Sequence, residues 1–182
     1  MSFADRTFSL DPEPLNFALI FRVFYFLQMA NSYTQIYIQA VFAVKFKQSL
    51  IQSSFESRLY SFICGILKNN GHSCLIINGM PDHIHLLFRL KPSQAISDLM
   101  RILKANSSKW INQEGFTKHP FSWQIGYGTF SYAQKDIEST VKYIKDQKNH
   151  HRNISFREEY MKLLKEHGIN PDEEYLFHWF DE

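Results

Sequence analysis

Two histidines one residue apart, His83-Ile84-His85, are the first feature of this chain with metal chemistry within reach. They open a run from His83 to Leu90 with the composition of a strand, and strand alternation turns both imidazoles to one face and Ile84 to the other. Two neutral imidazoles so placed can share a divalent ion. The motif is short enough to arise by chance among 8 histidines, and a hydrogen-bonded pair of strand histidines is the plainer alternative. Further along, Tyr143 and Gln147 stand four residues apart on a helical pattern whose apolar stripe is Ile137, Val141 and Ile144. At ~100° per residue these two lie together, roughly 110 to 130° round from that stripe. A phenol and an amide oxygen on one helix edge, beside a histidine pair on a sheet face, make a nucleophile-and-metal arrangement; an ordinary rim tyrosine is the alternative for Tyr143.

The elements that must position these groups follow from periodicity. Gln35 to Phe46 reads as a central strand. Ser53-Ser-Phe-Glu56 has the pattern of a capping box, followed by an amphipathic helix that Asn69-Asn-Gly71 ends. His72 to Gly79 and His83 to Leu90 predict a hairpin about Met80-Pro-Asp82. Ile96, Leu99, Leu103 and Trp110 mark a second helix, and Phe121 to Phe130 a short bent strand containing Gly126 and Gly128. Ser131 with Gln134 can cap a third helix running to about His151, and Ser155 with Glu158 a fourth ending at Gly168. The order gives an α+β, ferredoxin-like sandwich with a mainly antiparallel sheet. A Gly-rich phosphate loop is missing from the strand-to-helix turns, which argues against a nucleotide cofactor.

With 182 residues and 45 % hydrophobic residues the chain can bury a sizeable core. Twenty Lys and Arg against 18 Asp and Glu leave a net charge of only +2, so a nucleic-acid partner would be held by local placement of charge. Cys64 and Cys74 fit no metal-ligand spacing and are expected as buried free thiols in a reducing, cytoplasmic setting. Residues 1–28 read as an amino-terminal extension outside the fold, with Met29 a plausible internal start and 29–182 one domain. The apolar run Leu15 to Leu27 is interrupted by Asn16 and Arg22 and lacks a basic flank, so it suits neither a secretory signal nor a membrane span.

Together these residues resemble the small HUH single-tyrosine transposases of bacterial insertion sequences. The resemblance is carried by Tyr33-Thr-Gln-Ile, by Gly79-Met-Pro-Asp-His-Ile-His-Leu-Leu around the histidine pair, and by Ser107-Ser-Lys-Trp110. It continues through Trp123-Gln-Ile-Gly-Tyr-Gly128, Phe130-Ser131, Tyr143-Ile-Lys-Asp-Gln147 with His150-His151, and Phe156-Arg-Glu-Glu-Tyr160. It implies the HUH endonuclease fold, Tyr143 as nucleophile, and His83, His85 and Gln147 as ligands of a divalent metal. It also implies a homodimer in which one subunit's helix can complete the other's site. The substrate would be single-stranded DNA with hairpin ends, cut to a 5′-phosphotyrosine and a free 3′-hydroxyl. The chemistry is coherent: a phenol with a pKa of ~10 is a poor nucleophile at neutral pH and the phosphodiester repels an anion. A divalent ion relieves both difficulties, and three protein ligands leave positions open for phosphate oxygens. Mg²⁺ and Mn²⁺ both suit such a site.

For the DNA path, Arg101, Lys104 and Lys109 are candidate phosphate contacts, with a solvated helix face as the alternative. Trp123 and Tyr127 are candidate base-stacking groups, with core packing as the alternative. His150 and His151 could reach the metal or the DNA, or bond the last carbonyls of their helix. Three rival functions share parts of this reading. One is a domesticated nuclease acting on chromosomal repeated palindromes. Another is a relaxase or replication initiator, which often adds a second tyrosine or a third histidine near the HUH pair, neither evident here. The third is a non-catalytic single-strand-binding module, which would need neither metal nor Tyr143.

Overall fold

The computed structural model describes residues 33–171. Strand β1 (Tyr37–Ala43) leads to helix α1 (Glu56–Asn69), the hairpin β2 (Ser73–Met80) and β3 (His83–Arg89), helix α2 (Ile96–Gln113) and strand β4 (Gly128–Tyr132). Helices α3 (Ile137–Lys145), α4 (Gln147–His150) and α5 (Phe156–Glu166) follow. The strands form one sheet in the order β2-β3-β1-β4, every neighbouring pair antiparallel. This is the ferredoxin-like βαββαβ arrangement, with β1 interior as its mostly apolar run, interrupted only by Gln39, favours.

Alternation along β1 and β3 assigns the two faces. Ile38, Ala40 and Phe42, with Ile84, Leu86 and Phe88, turn to one side and pack against Leu59, Ile63 and Leu67 of α1 and Leu99 and Leu103 of α2. The opposite face carries Val41, Ala43 and Phe130, covered by Phe156, Tyr160, Leu163 and Leu164 of α5. Fully burying each of the Val, Leu, Ile and Phe side chains contributes roughly 1.5–3 kcal/mol, so both faces are held by apolar contact. His83 and His85 share the second face, opposite Ala43 and Val41 in the register with β1.

The hairpin that delivers them is tight. A Cβ on Gly79 would lie 2.2 Å from the carbonyl oxygen of His83 and 2.9 Å from Cα of Ile84, so only glycine fits where β2 crosses the start of β3. Helix α5 starts as its sequence predicts: the Ser155 side chain accepts from the Glu158 backbone N–H, and the Glu158 carboxylate accepts from that of Ser155.

Five expectations are corrected or left outside these residues. The box at Ser53 is not formed; helix α1 has Phe55 at its N-cap without a side-chain cap, and Gln52 oxygen accepts from the N–H groups of Phe55 and Glu56. The fourth strand begins at Gly128 instead of Phe121, because Lys104 Nζ ties the carbonyls of Ile125 and Gly126 into a loop and leaves Trp123 a single bridge to Val44. Ser131 is a strand residue opposite Ile38, so the third helix starts later, and it breaks at Asp146 into α3 and α4. Cys64 of α1 and Cys74 of β2 are joined as a disulfide, with Cα atoms 5.5 Å apart and both residues half-buried, because α1 lies across the start of β2. The extension assigned to residues 1–28 lies outside the described residues. Among those described, no helix is long and apolar enough to cross a membrane.

Candidate metal and nucleophile site

The centre is assembled from three elements on the second sheet face. His83 and His85 come from β3, buried at 1 % and 0 % exposure. Tyr143 comes from the last turn of α3 and Gln147 from the first residue of α4. The break between those helices is held by Asn78 of β2, whose Nδ2 donates to the carbonyl oxygens of Ile144 and Lys145, 3.0 Å each. Asn78 pairs with His85 in the hairpin, so the same rung that carries a histidine pins the end of the tyrosine's helix.

Glu159 of α5 joins these groups. Its Oε1 accepts hydrogen bonds from the Tyr143 hydroxyl and from Gln147 Nε2, the latter at 2.7 Å. Its Oε2 lies 3.2 Å from His85 Nε2 and 2.9 Å from His151 Nε2. His83 Nε2 is 3.1 Å from His151 Nε2. One ligand atom each from His83, His85, His151 and Glu159 lies within 4.8 Å of the others, close enough to hold a single metal ion. Gln147 Oε1 is buried without a partner, as an amide oxygen reserved for a cation would be. The donor set, imidazole nitrogens with carboxylate and amide oxygens, fits a divalent metal.

Burial governs the electrostatics. It pushes His83 down to about 4, against the pull of Asp82, whose carboxylate is 2.8 Å from Nδ1, so the ring is neutral at physiological pH. Tyr143 is raised far above an ordinary phenol, first by burial and then by the negative charge of Glu159. For Glu159 burial pushes upward, but the hydrogen bonds from His151, His85 and Tyr143 outweigh it and hold the carboxyl far below its usual range. Beside the tyrosine a cleft of about 260 Å³, lined by Thr140, Tyr143, His150 and Glu159 among others, opens toward solvent.

Tyr143, His83, His85 and Gln147 therefore meet, within one chain. The expected i, i+4 relation of Tyr143 and Gln147 survives the break at Asp146 because both residues bond the same carboxylate oxygen. Sequence reasoning missed Glu159. The available signal was its place on the apolar stripe Phe156, Tyr160, Leu163 and Leu164 of α5, where a charge requires buried partners. The expectation that no third histidine accompanies the pair is also corrected: His151 occupies that position, brought there by the turn after α4. His150 lies farther off, its Nε2 3.7 Å from Glu159 Oε1.

The proposed DNA contacts divide. Trp123 is 6 % exposed and packed on Phe42 and Phe121 with its indole N–H on Ser107 Oγ, as the core-packing alternative has it, and it also borders the cleft of the remaining candidates. Arg101, Lys104 and Tyr127 line a separate cleft between α2 and the loop before β4. Burial lowers Lys104 to about 8, and its Nζ sits 5.7 Å from the Tyr127 ring centroid, so its first task is holding that loop. Arg101 and Lys109 are exposed.

An antiparallel ferredoxin-like sheet, a buried histidine pair on its central strand and a tyrosine presented to it from a flanking helix define the HUH single-tyrosine class. Residues 32–147 match the family model described as "Transposase IS200 like", and the chain belongs to that family of DNA-processing transposases. The ISDra2 transposase TnpA of Deinococcus radiodurans is 29 % identical over 122 residues, 62 % of this chain and 84 % of that protein. Two solved structures share the fold. A transposase candidate from Deinococcus radiodurans has a TM-score of 0.53 at 20 % identity, over 65 % of this chain and 95 % of that one. A REP-associated tyrosine transposase bound to a REP hairpin has a TM-score of 0.52 at 15 % identity, over 84 % and 90 %.

Proposed function

We propose that residues 29–182 form a transposase domain that cleaves and rejoins single-stranded DNA at insertion-sequence ends through a 5′-phosphotyrosine. One observation carries the reading: the Tyr143 hydroxyl and the His83–His85 pair converge on one buried carboxylate. In the cleavage step Tyr143 Oη bonds to phosphorus, the bond from phosphorus to the 3′-oxygen breaks, and the phenolic proton ends on the released 3′-hydroxyl. Until then burial and Glu159 keep the phenol protonated and aimed. His83, His85 and Gln147 would hold the ion. A divalent ion held there, Mg²⁺ or Mn²⁺, would supply positive charge to polarise the phosphate. Because the phosphotyrosine conserves the bond energy, a later 3′-hydroxyl can reverse the step without a nucleotide cofactor.

The substrate we propose is single-stranded DNA folded into end hairpins, in keeping with the hairpin-bound relative of the same fold. Arg101, Lys104, Lys109 and Tyr127 would line its path in the cytoplasm. A homodimer belongs to the same proposal, with one subunit's tyrosine helix able to complete its partner's site. Mixing Tyr143→Phe and His83→Ala subunits, each inactive alone, would then restore cleavage; confirmed heterodimers without activity would confine each site to one chain.

The deciding experiment incubates the full chain with single-stranded oligonucleotides from the flanks of its gene, with and without Mn²⁺, and looks for a denaturation-resistant protein–DNA adduct. Tyr143→Phe should abolish the adduct while hairpin binding stays within a few fold, since only a hydroxyl is lost. An adduct persisting in that variant would move the nucleophile to Tyr132 or Tyr127. Hairpin binding without any adduct in the unaltered chain would leave a binding module.

A further inference from the structure

The outer hydrogen bonds of the three histidines determine what their inner nitrogens can do. His83 Nδ1 is 2.8 Å from Asp82 Oδ1, and His151 Nδ1 is 3.0 Å from the carbonyl oxygen of Ile154. Both oxygens only accept, so each ring carries its proton on Nδ1 and, when neutral, turns a bare lone pair inward from Nε2. Yet these two Nε2 atoms face each other at 3.1 Å. Two lone pairs at that distance repel unless something positive lies between them. His85 is set differently: Gln39 Nε2, which only donates, lies 3.0 Å from its Nδ1, so in the metal-free chain its proton sits on Nε2, aimed into the same centre and released when a cation binds. Glu159 Oε2 is a third acceptor there, 2.9 Å from His151 Nε2 and 3.2 Å from His85 Nε2. At His83 and His151 an outward Nδ1–H on an acceptor oxygen and an inward Nε2 are the arrangement that fixes metal-bound histidines.

We infer that His151 and Glu159 are direct ligands of the cation, joining His83, His85 and Gln147 in a centre of three imidazoles, one carboxylate and one amide oxygen. This rests on the proposed function and enlarges its ligand set with two residues that lie beyond the segment matched by the family model, which ends at residue 147. The carboxylate supplies what the imidazoles cannot. Three neutral rings bring no charge to a divalent ion in a site sheltered from water, whereas Glu159, 1 % exposed, offsets half of it. Its two oxygens divide the work: Oε2 faces the three imidazoles, while Oε1 holds Tyr143 and Gln147. The ligand set and the nucleophile are thus joined through one side chain, and the cation site is complete only once α5 has docked on the sheet.

The test is titration calorimetry of Mn²⁺ alone into the full chain and into His85→Ala, His151→Ala and Glu159→Gln, with circular dichroism to confirm folding. Each variant should bind Mn²⁺ at least ~100-fold more weakly than the unaltered chain, and the rise in melting temperature on adding Mn²⁺ should disappear. If His85→Ala loses binding while both His151→Ala and Glu159→Gln keep it, this inference is overturned and the proposed function stands. If all three bind as the unaltered chain does, the metal assignment of the proposed function fails as well. Pulsed electron paramagnetic resonance of the Mn²⁺-loaded unaltered chain needs no variant to fold: it should count three imidazole nitrogens bound to the ion, and a count of two would exclude His151.

Discussion

The hydroxyl of Tyr143 donates its hydrogen bond to Glu159, sixteen residues further along the chain and on a different helix. The helix of Tyr143 and the last described helix are therefore tied to each other and, through Glu159, to the histidines of β3. Position at this site depends on a few tethers whose loss can be measured one at a time.

Asn78 is the first. Its amide caps the carbonyls of Ile144 and Lys145 at the end of α3, and Asn78→Ala leaves both without that partner. A loss of about 1–3 kcal/mol in urea unfolding is expected, together with cleavage reduced more than hairpin binding, because the displaced group is the tyrosine. Equal losses in both, or neither, would show that α3 is held by other contacts.

Gly79→Ala tests the hairpin. The added methyl would lie 2.2 Å from the carbonyl oxygen of His83, a backbone atom that cannot swing aside. Destabilisation of at least ~2 kcal/mol is expected, with weaker Mn²⁺ binding because His83 moves. A variant as stable as the unaltered chain would mean that the strands separate there at little cost.

Acid should weaken the metal-free protein through His83. Its ring titrates at about 4 in the folded chain against 6.5 ordinarily, so between those values the unfolded chain binds a proton that the native one refuses, and stability falls as the pH drops. The full effect is ~3 kcal/mol. His151, raised by Glu159 despite its burial, acts in the opposite sense, and Glu159 loses its contribution only below the ordinary carboxylate range. Comparing the unaltered chain with His83→Gln in EDTA isolates the term: from pH 7 to 4.5 the unaltered chain should lose about 2–3 kcal/mol more in urea unfolding. Equal losses would show that His83 already carries a proton in the native state.

Removal of residues 1–28 should leave cleavage unchanged. The segment holds Phe17, Phe21, Phe24 and Phe26 in a run without caps or an amphipathic stripe, and exposed apolar runs promote association. A chain beginning at Met29 should be more soluble and equally active. A clear fall in melting temperature would show that the segment packs onto the domain.

The order of elements, the interior position of β1, the hairpin and the side of the sheet bearing both histidines were legible in the sequence because each follows from a local period of two or 3.6 residues. The Ser155–Glu158 cap was legible for the same reason, its partners being three residues apart. The Ser53 box has the same spacing but is not used, because backbone bonds to Gln52 satisfy that end. Tyr143 and Gln147 were found as helical neighbours, although nothing local announced the break at Asp146, which depends on Asn78 bonding the carbonyl of Ile144, 66 residues further along the chain. Pairing of Cys64 with Cys74 depended likewise on how α1 crosses β2. Trp123 could be read as an exposed stacking group or a core group, and only its bond to Ser107 and its packing on Phe42 settle which. Glu159 and His151 show the boundary most clearly: a charge in an apolar stripe and a histidine in a turn have no local partner that explains them. Their partners lie on strands and helices distant in sequence, and only the docking of α5 against the sheet brings four potential ligand atoms to one point.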